Sequence, residues 1–276
     1  MNRTYVALDL ETTGLDPERD TILEVGAVRF RTSFGNGTVQ AHVQDTWTST
    51  VNPGRPIPIQ VQHLTGITHA EVSRAPRFSQ VIGPLRSFVG SYPLVGHNVS
   101  FDLSFLDTHH LSLNNPAMDT FEMASILMPH AARYSLSKLG ETLGLEHLGS
   151  HRALDDAKAT QALFVALLQL ASELPMAVLQ EINRLAGRVD WPLKDVFRDV
   201  ERGLARTAFG GGIGQQLAAQ LGTRRRSSNS VGLSTRIISF VAGTSGNSVS
   251  WRTVTPLPRQ FSSLAMNRFT QRVSSL

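Results

Sequence analysis

Residues 6 to 16 read VALDLETTGLD, and in them Asp9 and Glu11 stand one residue apart at the end of a run, Tyr5 to Leu10, that otherwise has the pattern of a buried β-strand. Side chains alternate faces along a strand, so positions i and i+2 project to the same side. Both carboxylates therefore crowd one face. Their mutual repulsion and lost solvation require compensation, so any fold this chain adopts must bring positive charge to the end of its first strand.

The rest of the first 174 residues alternates between strand and helix signals. Ile22 to Phe30 and a stretch around Val43 to Val51 have β-branched and apolar character, separated by turn-rich segments at Thr12 to Asp20 and Phe34 to Thr38. The prolines of NPGRPIP, Asn52 to Pro58, lack ladder donors and mark a loop. Phe78 to Val89 has helical spacing. Pro93 to Val95 is a short apolar strand leading into GHNVSFDLSFL, where Asn98 or Ser100 is placed to cap a helix that buries Phe101 and Phe105. AMDTFEMASILMP reads as a strand end followed by a helix, SLSKLGETLGL as a helix opened by Ser135, and His151 to Leu174 as a long amphipathic helix. Strands first and alternation afterwards predict a mixed sheet with helices packed on it.

Three segments carry acids at junctions of such elements: DLE with Asp9 and Glu11, HNVSFD ending at Asp102, and HRALDD with His151 and Asp156. Carboxylates are hard oxygen ligands, and four of them in a chain without cysteine favour Mg²⁺ or Mn²⁺ over zinc. Taken singly, each has an ordinary explanation. Asp9 and Glu11 suit a solvated turn, Asp102 a helix N-terminus, and His151 a loop; only their joint order speaks for chemistry.

That order resembles the DEDDh class of DnaQ-like 3′→5′ exonucleases, the family of the epsilon proofreading subunit of bacterial DNA polymerase III. DLETTGLD is similar to its first motif, HNVSFDLSFL to its second and HRALDDAKATQALF to its third. The supporting segments HLTGIT, MDTFEMA and SLSKLGETLGL extend the resemblance over roughly Met1 to Leu174. The resemblance implies a ribonuclease H-like fold, a mixed five-stranded sheet flanked by helices. It also implies two Mg²⁺ or Mn²⁺ ions held by Asp9, Glu11, Asp102 and Asp156, with His151 as the general base toward the attacking water. Asp155 is set aside because it points elsewhere around its helix. By the same resemblance Thr12 and Leu15 meet the terminal 3′ nucleotide, and His63, Ile67 and Asn98 line the path of the strand.

The implied activity is hydrolysis of terminal phosphodiesters of DNA to nucleoside 5′-monophosphates, in proofreading or repair. RNA trimming is the nearest alternative, because discrimination at the 2′-OH depends on local geometry. A noncatalytic polymerase- or clamp-binding module of the same fold is the alternative outside enzymes. The expected partners are DNA 3′ ends with a DNA polymerase or helicase. WPLKDVFRDVERG, from Trp191, resembles the connector of DinG-type exonuclease and helicase fusions, which makes a truncated relative of such a fusion the expectation.

Composition adds a boundary. Residues 1–201 hold 16 basic and all 22 acidic side chains, whereas residues 202–276 hold 10 arginines and no acid or lysine. The two regions are not one unit. The expected organisation is therefore an exonuclease domain at 1–174, a helical linker or extension at 175–209, and a basic Ser/Gly/Arg-rich tail at 210–276 that is disordered or encoded out of frame. GGGIG near Gly210 lacks the Lys-Ser/Thr of a phosphate loop, and Arg224 to Arg226 read as a solvated cluster. His109 and His110 have no partner pattern for a metal. Zero cysteines exclude disulfides, thiolate catalysis and zinc-thiolate sites. No apolar run approaches a membrane span and no leader pattern opens the chain, so a cytoplasmic location is expected.

Overall fold

The computed structural model describes residues 2–35, 37–145 and 151–210. The expectations for the basic tail after Gly210 lie outside the described residues. Strands β1 (Asn2–Thr12), β2 (Ile22–Gly35) and β3 (Thr38–Thr50) form an antiparallel meander. Helices α1 (Ile59–Thr65), α2 (His69–Val72) and α3 (Phe78–Val89) lead to β4 (Leu94–Gly96), α4 (Val99–Thr108) and β5 (Ala117–Asp119). Then follow α5 (Thr120–Leu127), α6 (Leu136–Thr142), α7 (Ala153–Glu173), α8 (Met176–Ala186) and α9 (Lys194–Gly210). The sheet order is β3-β2-β1-β4-β5, with β4 parallel to both β1 and β5. This is the mixed five-stranded sheet with flanking helices, and β1 lies at its centre.

Alternation along β1 builds the two layers. Val6, Leu8 and Leu10 pack on one face with Leu85, Phe88 and Val89 of α3 and Phe105 and Leu106 of α4. Tyr5 and Ala7 pack on the other face with Leu163, Phe164 and Leu167 of α7. That second core also takes in Leu179 of α8 and Val196, Phe197 and Val200 of α9, so the residues after Leu174 share it. Trp191 Nε1 donates to Glu122 Oε1 at 2.8 Å and ties the segment between α8 and α9 to α5.

Several local expectations need correction. The meander strands are longer than their apolar centres, because the Gly35 to Thr38 turn lets pairing run to the tip: Gly35 opposes Thr38, and Gly37 takes a φ of 77°. Two helical segments, α1 and α2, occupy the stretch after the proline loop. Neither Asn98 nor Ser100 caps α4 through its side chain. Asn98 holds a left-handed φ of 60°, and Asp119 at the end of β5 accepts the N–H groups of Asn98 and Val99 at 3.0 and 3.1 Å. Phe105 is buried as expected, whereas Phe101 is only half-buried.

Candidate active site

The face of β1 toward α7 runs Tyr5, Ala7, Asp9, Glu11, so its apolar half ends where its acidic half begins. Asp9 and Glu11 are 1% and 2% exposed, which makes them buried acids rather than solvated turn residues. One carboxylate oxygen from each of Asp9, Glu11 and Asp156 lies within 4.8 Å of the other two. The donors are all hard oxygens on buried side chains, a set that fits a divalent cation and supplies what the paired acids require. Asp102 in the first turn of α4 is fully buried, and its Oδ1 accepts the N–H of Leu10 at 3.1 Å. This bond pins α4 to the backbone between the two strand acids.

The second motif is held from behind. His97 is buried, with Nε2 2.8 Å from the Tyr134 carbonyl oxygen and Nδ1 2.9 Å from the Thr120 hydroxyl. Asp119 accepts three backbone N–H groups, from Asn98, Val99 and Phe121 at 3.0, 3.1 and 2.9 Å, and so joins the starts of α4 and α5. Desolvation pushes its carboxyl above the usual carboxylate range, and these N–H groups oppose that shift.

The third motif reaches β1 because β2 lets it. Gly26 lies opposite Asp9 in the ladder. A Cβ at Gly26 would stand 2.2 Å from the Ala153 carbonyl carbon and 2.2 Å from the Leu154 nitrogen, so the first turn of α7 occupies the space a side chain would fill. Glu24, opposite Glu11, is also buried. It accepts the Ala153 N–H at 2.9 Å, and Arg152 Nη2 and Nε at 2.6 and 3.1 Å. Arg152 gives α7 no side-chain cap of its own, so a carboxylate from β2 caps this helix. These contacts also raise the guanidinium pKa of Arg152, chiefly through its hydrogen bonds to Glu24. Like charges directly opposite in a ladder destabilise a sheet; of the facing pair Glu11 and Glu24, the guanidinium supplies the counter-charge to Glu24. His151, next to it, is half-buried with φ of 51°, a left-handed conformation that costs a non-glycine residue about 1 kcal/mol.

Asp155 faces away from this cluster and pairs with Lys158 at 3.1 Å. Among the residues expected along the substrate path, Thr12 at the end of β1 and Leu15 in the loop after it are half-buried, with Thr12 Oγ1 donating to the Gly14 carbonyl at 2.6 Å. His63 is exposed on α1 and Asn98 is half-buried at the start of α4. Ile67 requires correction: it is fully buried with Leu23, Ile57, Val61 and Val72, and its side chain offers no surface to a strand. Glu24, Gly26, Asp119 and Arg152 escaped sequence reasoning. Only Gly26 left a signal, since a glycine inside a strand pattern marks close approach of another backbone.

A mixed sheet whose central strand delivers buried acids to two helix N-termini is the ribonuclease H-like exonuclease fold. The family model described as Exonuclease (RNase_T) matches residues 6–164, which include every acid named above and His151, and the chain belongs to this family. It is 34% identical over 183 residues to the DNA polymerase III PolC-type of Caldanaerobacter subterraneus subsp. tengcongensis, covering 65% of this chain but 12% of that polymerase. It is 32% identical over 174 residues to the DNA polymerase III subunit epsilon of Aquifex aeolicus, covering 61% of this chain and 82% of the subunit. Among solved structures, the nuclease domain of 3′hExo, a DEDDh family member bound to rAMP, shares the fold at a TM-score of 0.50 and 23% identity, over 60% of this chain and 92% of that one.

Proposed function

We propose that the chain is a 3′→5′ exonuclease that hydrolyses the terminal phosphodiester of DNA, at single-stranded or frayed 3′ ends, and releases nucleoside 5′-monophosphates. The observation that carries this reading is the convergence of Asp9, Glu11 and Asp156 on one point at the end of the central strand. Asp102 lies outside that group of three, but its Oδ1 accepts the Leu10 N–H between the two strand acids, which supports taking it as the fourth ligand. When bound there, two Mg²⁺ or Mn²⁺ ions would neutralise the carboxylates and polarise the scissile phosphate. Asp9, Glu11, Asp102 and Asp156 would hold and orient the cations. His151, on the turn into α7, takes a proton from the attacking water, a task suited to an imidazole because its ordinary pKa lies near neutrality. Thr12 and Leu15 border the terminal nucleotide, and His63 and Asn98 the strand behind it.

The choice of DNA rests on the epsilon-subunit and PolC-type relatives, whose names place them in DNA polymerase III. They also support a replicative polymerase as partner, in proofreading or repair, and a cytoplasmic location. Among the described residues no single helix is long and apolar enough to cross a membrane. The test is digestion of 3′-labelled single-stranded DNA and matched RNA with Mg²⁺, comparing the native chain with Asp9→Ala. Metal-dependent mononucleotide release from DNA that disappears in the variant is expected. Release that survives the substitution would refute the site, preference for RNA would overturn the substrate, and no release from either polymer would favour a binding module.

A further inference from the structure

Three elements meet on one side chain beside the proposed base. Arg152 donates through Nε and Nη2 to Glu24 of β2, and Nη2 also reaches Glu71 Oε1 of α2 at 3.1 Å. Glu24 is fixed in turn by the sheet, opposite Glu11, and by the Ala153 N–H. The fork of a guanidinium on a carboxylate sets direction as well as distance. A left-handed residue persists only where its surroundings over-determine it, and His151 immediately precedes this clamp.

We propose that Arg152 is a positioning residue of the hydrolytic site. Its grip on Glu24 and Glu71 fixes the turn into α7 and so sets where His151 stands relative to Asp9 and Glu11. The proposal rests on the reading of His151 as general base. A direct role for Arg152 in gripping substrate phosphate fits the surroundings less well. The groove it borders, about 450 Å³ and lined by Glu24, Glu71, Arg74 and Arg152 among hydroxyl groups, balances two acids against two bases and offers phosphate no net attraction.

The two roles separate in steady-state kinetics on 3′-labelled single-stranded DNA with Mg²⁺, measured with the full chain well below each variant's melting temperature. Activity of the native chain that is lost in Asp9→Ala establishes the nuclease reading first; without it that reading fails, whatever Arg152 does. Given that activity, Arg152→Ala is expected to lower kcat about 100-fold, as displacement of a catalytic group by about 1 Å does, with KM within about threefold. Arg152→Lys keeps the charge but not the fork and should recover part of kcat. Glu71→Gln removes one arm and should lower kcat several-fold at unchanged KM. A rise in KM at native kcat would make Arg152 a substrate contact. Native kcat in the folded variants, with only the melting temperature lowered, would leave it a purely structural bridge. Either result overturns the proposal, and if Arg152→Ala does not fold, Arg152→Lys and Glu71→Gln decide by the same split.

Discussion

Gly26→Ala is the smallest change that tests how the site is assembled, since it adds one methyl group to β2 and touches no acid. The new Cβ would stand 2.2 Å from the Ala153 carbonyl carbon, 2.2 Å from the Leu154 nitrogen and 2.3 Å from the Ala153 oxygen. Carbon atoms rest about 3.5 Å apart or more, and the obstructing atoms are backbone, so no side chain can swing aside. The start of α7 must therefore retreat by about 1.3 Å, the difference between those separations. That movement stretches the 2.9 Å bond from Ala153 N–H to Glu24 beyond hydrogen-bonding range and draws Asp156 away from Asp9 and Glu11. Overpacking of this kind costs about 1–3 kcal/mol, and in a domain of this size each kcal/mol lowers Tm by about 2–4 °C. A displacement of about 1 Å in a catalytic group costs about 100-fold in rate. Thermal melting and Mg²⁺-dependent release of mononucleotides from single-stranded DNA read both effects. Gly35→Ala, on the same strand with nothing within 4 Å of its Cβ, is the control and should behave as the native chain. A Gly26→Ala chain that melts and cleaves like the Gly35→Ala control would refute the claim that backbone contact with β2 seats α7.

What the chain discloses locally, it disclosed well. The i and i+2 placement of Asp9 and Glu11 put both acids on one face, and the spacing of Phe78 to Val89 coincides with α3. Asp102 and Asp156 sit in the first turns of helices whose starts were visible as HNVSFD and HRALDD. The unseen parts are those whose partner is remote in sequence. Glu24 caps α7 from 129 residues away, and Asp119 caps α4 from 20 and 21 residues away. For α4 the local sequence offers a rival: Asn98 and Ser100 are ordinary capping residues, but the left-handed turn at Asn98 lets Asp119 accept the N–H groups instead. Ile67 fails for a related reason, because an apolar residue in a loop has the same local signature whether it covers a core or faces a ligand. Its burial against Leu23 and Ile57 is decided by β2 and the proline loop, which the motif around it does not contain.

The same accounting of buried polar groups yields further expectations. The Tyr5 hydroxyl is buried with no hydrogen-bonding partner among the described residues, so Tyr5→Phe should melt at the native temperature or gain about 1 kcal/mol; a loss of that size would reveal a bond. Burial raises the pKa of Glu122 while the Trp191 indole N–H opposes the shift. Its ionised form therefore costs stability at neutral pH, a cost that fades as pH falls through the raised folded pKa toward the unfolded value. Glu122→Gln keeps an acceptor for Trp191, so it should melt higher than the native chain at pH 7 and lose that advantage in acid; a constant gap would refute the assignment. The acids of β1 give the last expectation. In a chelator Asp9 and Glu11 repel each other, so Asp9→Asn should equal or exceed the native chain in stability. Mn²⁺ at one hundred times its dissociation constant should then stabilise the native chain by about 2.7 kcal/mol and the variant by much less. Equal stabilisation of both would mean that the cation binds elsewhere and that the crowding of two carboxylates on one strand face has another cause.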